Sequence, residues 1–393
     1  MTEPAFDDYP EVGADVLDAE VGGPELRPLG LADVLGRTRA ALGLRPLAAP
    51  ALVFVPAGVL LGPYVTGWLD LNVLAYLYPV VAIALAVLGL FVGFGLDLRL
   101  AGAGRLLAAA SVEAVITIGM VAGALGFLLQ RWGAPLDVAL VPLTLVFGVC
   151  ASASSGAVSR PDDPPRYRTA SIIADLDDVL PIVLGGVVLA LLARASAGAA
   201  VWLFGLSVGA ALAVAAAGWM LFERTEDPAE RGLFVVGVIA LLGGGAAYLG
   251  ASPLLAGMVA GVFWRHAPGH ADRIILGDLR RLQHPLVVLL LVISGASAVP
   301  GPLALWLVGP YVLMRLTGKL LGGWVLARWM PEAAPADLGH YLLPPGVIGL
   351  AFTLAFHLAS SSAASAAALT AVAAGTLAGE VLGAFALLGA RRS

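Results

Sequence analysis

Three carboxylates, Asp175, Asp177 and Asp178, crowd four positions inside a stretch, 170–193, that holds no other charged residue. An ionisable side chain at the centre of a bilayer costs roughly 2.5–3.5 kcal/mol on insertion scales, so such a cluster marks function. Two adjacent carboxylates in a low-dielectric site titrate as a coupled pair, able to carry a proton and to ligate a cation with the same oxygens. Asp177 and Asp178 are therefore the expected ion-binding residues. Glu113, Arg315, Lys319 and Glu380 also interrupt apolar runs. Glu113, Arg315 and Glu380 join Asp175 as accessory membrane charges; pairing that merely staples helices is the competing explanation, strongest for Glu113 and Arg315.

Two stretches of poor helix accompany these charges. One is Cys150-Ala151-Ser152-Ala153-Ser154-Ser155-Gly156; the other is Leu343-Pro344-Pro345-Gly346-Val347. Non-helical backbone at membrane depth persists only where it is buried or lines a cavity. Half-helix ends there offer N–H and C=O groups to ions. The oxygens of Ser152, Ser154 and Ser155, with freed carbonyls, are expected to help solvate a hard cation that two carboxylates alone do not surround. Close packing of small residues and a simple proline kink are the plainer explanations. Each broken stretch lies one span from a charged one, in corresponding positions of the two halves of the chain. That layout points to an inverted-repeat transporter site built from spans 3–5 and 10–12.

These residues need helices that cross a membrane. The chain has 393 residues, 60% hydrophobic and 12% charged, against about 45–50% and about 25% in soluble domains. This composition excludes a soluble enzyme and a disordered protein. Continuous apolar runs exclude an outer-membrane barrel, whose strands alternate. The fold class is an all-α polytopic membrane protein with about twelve spans, at 47–65, 73–95, 106–129, 137–158, 170–193, 198–222, 232–249, 252–264, 284–299, 303–328, 339–358 and 364–389. With the N-terminus cytoplasmic, eighteen of the 22 Lys and Arg fall inside, two outside (Arg131 and Arg194) and two in the tenth span. The positive-inside rule thus supports both the count and cytoplasmic ends, in an inner (plasma) membrane. Residues 1–46 read as an acidic cytoplasmic tail with an amphipathic helix near 29–44, and 47–390 as the transmembrane domain. The single Cys150 permits no internal disulfide. Thinly spread basic residues argue against nucleic acid, and the absence of a P-loop argues against nucleotide; the expected partner is the lipid bilayer.

Five stretches in register resemble the monovalent cation:proton antiporters, specifically the bacterial sodium/proton branch with paired aspartates. They are Ala57-Gly58-Val59-Leu60-Leu61-Gly62-Pro63, Phe94-Gly95-Leu96-Asp97-Leu98, Leu176-Asp177-Asp178-Val179-Leu180, Gly250-Ala251-Ser252-Pro253-Leu254-Leu255-Ala256-Gly257 and Gly318-Lys319-Leu320-Leu321-Gly322-Gly323. The resemblance implies inverted repeats with two broken, crossing helices in spans 4 and 11, a core of spans 3–5 and 10–12, a homodimer interface on spans 1, 2 and 7–9, and span 6 as linker. It implies sodium at Asp177 and Asp178, with Asp178 the principal proton and cation carrier. Lys319 matches the family's membrane lysine. It is expected to pair with Asp177 without the ion and to lose its proton when the cation binds, so that two protons move per sodium.

The chain departs from the family at the broken eleventh helix. Pro344-Pro345-Gly346-Val347 stands where the family has Pro-Arg-Gly-Glu; Asp175 and Arg315 are expected to replace that lost ion pair. The function that follows is secondary antiport of a monovalent cation, sodium first, against protons by alternating access, with no enzyme activity and no cofactor beyond the transported sodium and protons. A potassium efflux protein and a sodium-coupled solute symporter of related fold are the alternatives. An intramembrane aspartyl protease is excluded because Asp177 and Asp178 share a helix. His266, His270 and His284, with Arg265, Arg273, Arg280 and Arg281, read as a solvated basic loop.

Overall fold

A computed structural model describes residues 50–390 apart from 97–102, 134–137, 156–164, 195, 226, 269–270 and 332–333. The acidic tail, its amphipathic segment, Asp97 and His270 lie outside the described residues. Those described form fourteen α-helices, joined by short turns and one isolated bridge. They are α1 (Pro50–Leu61), α2 (Leu71–Gly95), α3 (Ala103–Trp132), α4 (Leu140–Ser152), α5 (Pro165–Leu176), α6 (Val179–Ala193), α7 (Ala197–Arg224), α8 (Pro228–Tyr248), α9 (Pro253–His266), α10 (Ala271–Ala296), α11 (Pro302–Trp329), α12 (Leu338–Tyr341), α13 (Val347–Ser360) and α14 (Ala363–Ala390). Read as spans, they reproduce the expected twelve, with α5 and α6 making the fifth and α12 and α13 the eleventh. Among the described residues, six stretches are long and apolar enough to cross a membrane by themselves: α2, α7, and most of α3, α8, α14 and the α5–α6 pair.

Sequence chemistry sets the boundaries. Asp70, Ser196, Asp227 and Ser252 each accept a backbone N–H in the first turn of α2, α7, α8 and α9, satisfying donors that a helix start leaves free. Gly250 turns between α8 and α9 at φ +71°, a conformation that glycine adopts without strain. The expected basic loop is a correction: 271–296 is one continuous helix. Ile275 and Leu279 are buried on one side of α10, so the segment is an amphipathic helix and not a loop.

Several helix pairs carry the packing. α2 lies against α9, α8 and α10, and α1 against α10. α3 lies against α11 and α4, while α14 packs on α11 and α13. α7 contacts α9, α8 and α6. The two expected breaks are present: α4 stops at Ser152 with Ala153 extended, and between α12 and α13 the chain turns at Leu342, bends at Pro344 and is extended at Gly346.

Candidate functional site

The two broken segments cross and pair. Ser154 and Pro345 form an antiparallel bridge, with Ser155 N–H donating to Pro344 O at 3.0 Å and Gly346 N–H to Ala153 O at 3.2 Å. Pro344 and Pro345 cannot donate backbone hydrogen bonds, and each pushes its predecessor toward extended backbone. That leaves carbonyls without helical partners, and buried carbonyls must find donors. Ser154 Oγ donates to Leu342 O at 2.9 Å. Arg315 donates from Nη1 to Leu343 O at 2.5 Å and from Nη2 to Ala153 O at 3.2 Å. Lys319 Nζ donates to Ser152 O. Gly346 fits because a Cβ there would stand 3.0 Å from Ser154 O. Gly379 and Gly383 of α14 lie against Pro345 and Pro344.

Three charged side chains meet beneath this crossing. Lys319 Nζ lies 2.9 Å from Asp177 Oδ2 and 3.0 Å from Glu113 Oε2, all three side chains fully buried. Glu113 Oε1 accepts from Thr117 Oγ1 at 2.9 Å, and Asp177 Oδ1 accepts the Ser154 N–H at 3.4 Å. Asp178 is buried too, yet its Oδ1 has no hydrogen-bond partner. The two aspartates occupy a turn between α5 and α6, while Asp177 N–H to Ile173 O and Ile182 N–H to Asp178 O carry the helical axis through it.

The expected site residues divide. Asp177, Lys319, Glu113 and Ser154 converge with the backbone at Pro344, Pro345 and Gly346, and Asp178 is buried next to Asp177 in the chain. Ser152 reaches the cluster through its carbonyl, since its hydroxyl donates to Val149 O in its own helix. Ser155 is half-buried and joins the bridge by its N–H. Asp175 is exposed on α5. It is not the partner of Arg315, which bonds backbone carbonyls and makes no ion pair among the described residues; the expected Asp175–Arg315 substitute for the missing pair does not form. Glu380 is half-buried on α14 and contributes to the field at Arg315, as do Asp177 and Glu113.

Sequence reasoning left open the partner of Glu113, gave Arg315 the wrong one in Asp175, and missed Thr117. The usable signal was i, i+4 spacing: Glu113 with Thr117 on α3, and Arg315 with Lys319 on α11. Both pairs present side chains to one face. Gly318 and Gly322 share that face of α11, lying against Thr117 and Glu113.

The chain superposes on the structure of the sodium/proton antiporter MjNhaP1 from Methanocaldococcus jannaschii, determined at pH 8. The TM-score is 0.64 and the identity 17%, covering 91% of this chain and 98% of that chain. At that identity the likeness establishes a shared fold. No protein-family model and no curated protein sequence matches the chain.

Proposed function

We propose that this membrane protein is a secondary antiporter that exchanges a monovalent cation, sodium first, for protons by alternating access. One observation carries the reading: Asp178 keeps a buried carboxylate oxygen without a partner, beside an Asp177 whose two oxygens are both engaged. A buried acceptor left open is costly unless a proton or a cation fills it. The same oxygen cannot serve both, and competition for one acceptor couples the two flows. The fold shared with a sodium/proton antiporter supports the reading, as does the match of the paired aspartates and the membrane lysine to that family.

The same resemblance supports a homodimer assembled through α1, α2 and α8–α10. The excess of Lys and Arg in alternate connections supports an inner-membrane location with both ends cytoplasmic.

The test is reconstitution in liposomes with a trapped pH dye, followed by addition of sodium, lithium and potassium in turn. Sodium should drive a rapid luminal pH change, abolished in Asp178→Asn while the protein stays folded. A response to potassium alone would reassign the cation, and no response to any of the three would overturn the reading.

A further inference from the structure

We infer that Glu113 holds Lys319 in its charged form throughout the cycle, so that exchange moves one proton per monovalent cation and is electroneutral. The inference rests on the antiport reading and deepens it. An ammonium has three N–H donors, and at Lys319 each has an acceptor: Asp177 Oδ2, Glu113 Oε2 and Ser152 O. A neutral amine has only two donors and would turn a lone pair toward one of those oxygens. Both Glu113 oxygens are engaged, by Lys319 and by the Thr117 hydroxyl, as suits an ionised carboxylate. The room for this contact is built in. At Gly322 on α11 an added Cβ would stand 2.8 Å from Glu113 Cγ.

A lysine facing Asp177 alone would lose its only counter-charge when a cation takes Asp177, and could then release a proton; that is the two-proton cycle the sequence suggests. With Glu113 present, the cation removes one of three partners. Deprotonating Lys319 would then strip buried Glu113 of the only cation that hydrogen-bonds it among the described residues, an outcome heavily penalised in a low-dielectric site. Lys319 therefore stays protonated and Glu113 ionised in both loaded forms. In the cation form Asp177 and Asp178 are both ionised around the bound ion. In the proton form the ion has left and one proton sits on Asp178. One positive charge replaces another, and the site crosses with the same net charge each way.

The reversal point tests this. Wild-type proteoliposomes are given a fixed pH gradient and a potential clamped with valinomycin, and the sodium ratio that stops proton flux is found. Electroneutral exchange predicts that this ratio equals the proton ratio and stays put when about 59 mV, one decade for one charge, is imposed. A tenfold displacement of the ratio would overturn the inference while leaving antiport intact; no sodium response at all would instead sink the antiport reading. In Glu113→Gln the ratio should become potential-dependent, moving up to tenfold. An active Glu113→Gln protein whose ratio stays fixed would remove Glu113 from the account. Should that variant not fold, sodium-induced infrared difference spectra of the wild type decide. One protonated-carboxyl band, lost in Asp178→Asn, is expected, and a second exchanging carboxyl band would contradict a permanently ionised Glu113.

Discussion

Two helix pairs in this molecule use glycine for opposite ends. Where α2 meets α9, Gly89 and Gly93 lie against the backbone of Leu254 and Met258, while Gly257 and Gly261 lie against that of Ala86 and Leu90. Backbone touches backbone there, and no charged side chain intervenes. Where α11 meets α3, Gly318 and Gly322 instead receive Thr117 and Glu113, and the space that glycine frees is filled by a buried ion cluster. Lipid tails are as apolar as leucine, so helices in a bilayer associate through close packing and polar contacts. The first pair is a weld that packing alone holds. The second is a joint held by hydrogen bonds between charged and polar side chains.

Neither contact should be forgiving. Gly257→Leu forces a side chain into the carbonyl of Ala86 and should cost about 3 kcal/mol or more, as severe overpacking does. Thermal unfolding in detergent reads it; an unchanged Tm would mean that the seam yields. At the joint, Lys319→Met strands two buried carboxylates and should cost about 3–5 kcal/mol. That deficit should shrink as pH falls, because protonation neutralises both acids, and a pH-independent deficit would contradict their being ionised. Arg315→Lys keeps the charge but cannot span Leu343 O and Ala153 O as the planar fork does. Losing one charge-assisted hydrogen bond there should cost about 1.5–3 kcal/mol, with slower exchange as the crossing loosens. Asp175→Asn is the smallest change. Exposed on α5, it should alter stability by less than about 0.5 kcal/mol and leave the exchange rate within about twofold.

Asp177–Asp178, Lys319 and the two breaks were legible because each violates a local rule: a charge in an apolar run, or Pro-Pro and Ser-Ala-Ser in a helix. The span count followed from composition and charge alternation. What the residues could not reveal was who meets whom across long separations. Glu113 and Lys319 lie 206 positions apart, and nothing local distinguishes a stapling acid from one that sets the charge of the site. Arg315 was misjudged for the same reason. An arginine in a membrane suggests an acidic partner, whereas here it satisfies carbonyls that the broken helices expose. The amphipathic start of α10 was misread as loop because its arginines outweighed the Ile275–Leu279 spacing.

On the proposed antiport, a proton and a cation compete for the open oxygen of Asp178. Titrating sodium into the purified protein by calorimetry, in buffers of different ionisation enthalpy, counts protons released per ion bound. The account predicts one proton per sodium in the wild type, and neither sodium binding nor proton release in Asp178→Asn. Sodium binding with undiminished proton release in that variant would contradict it.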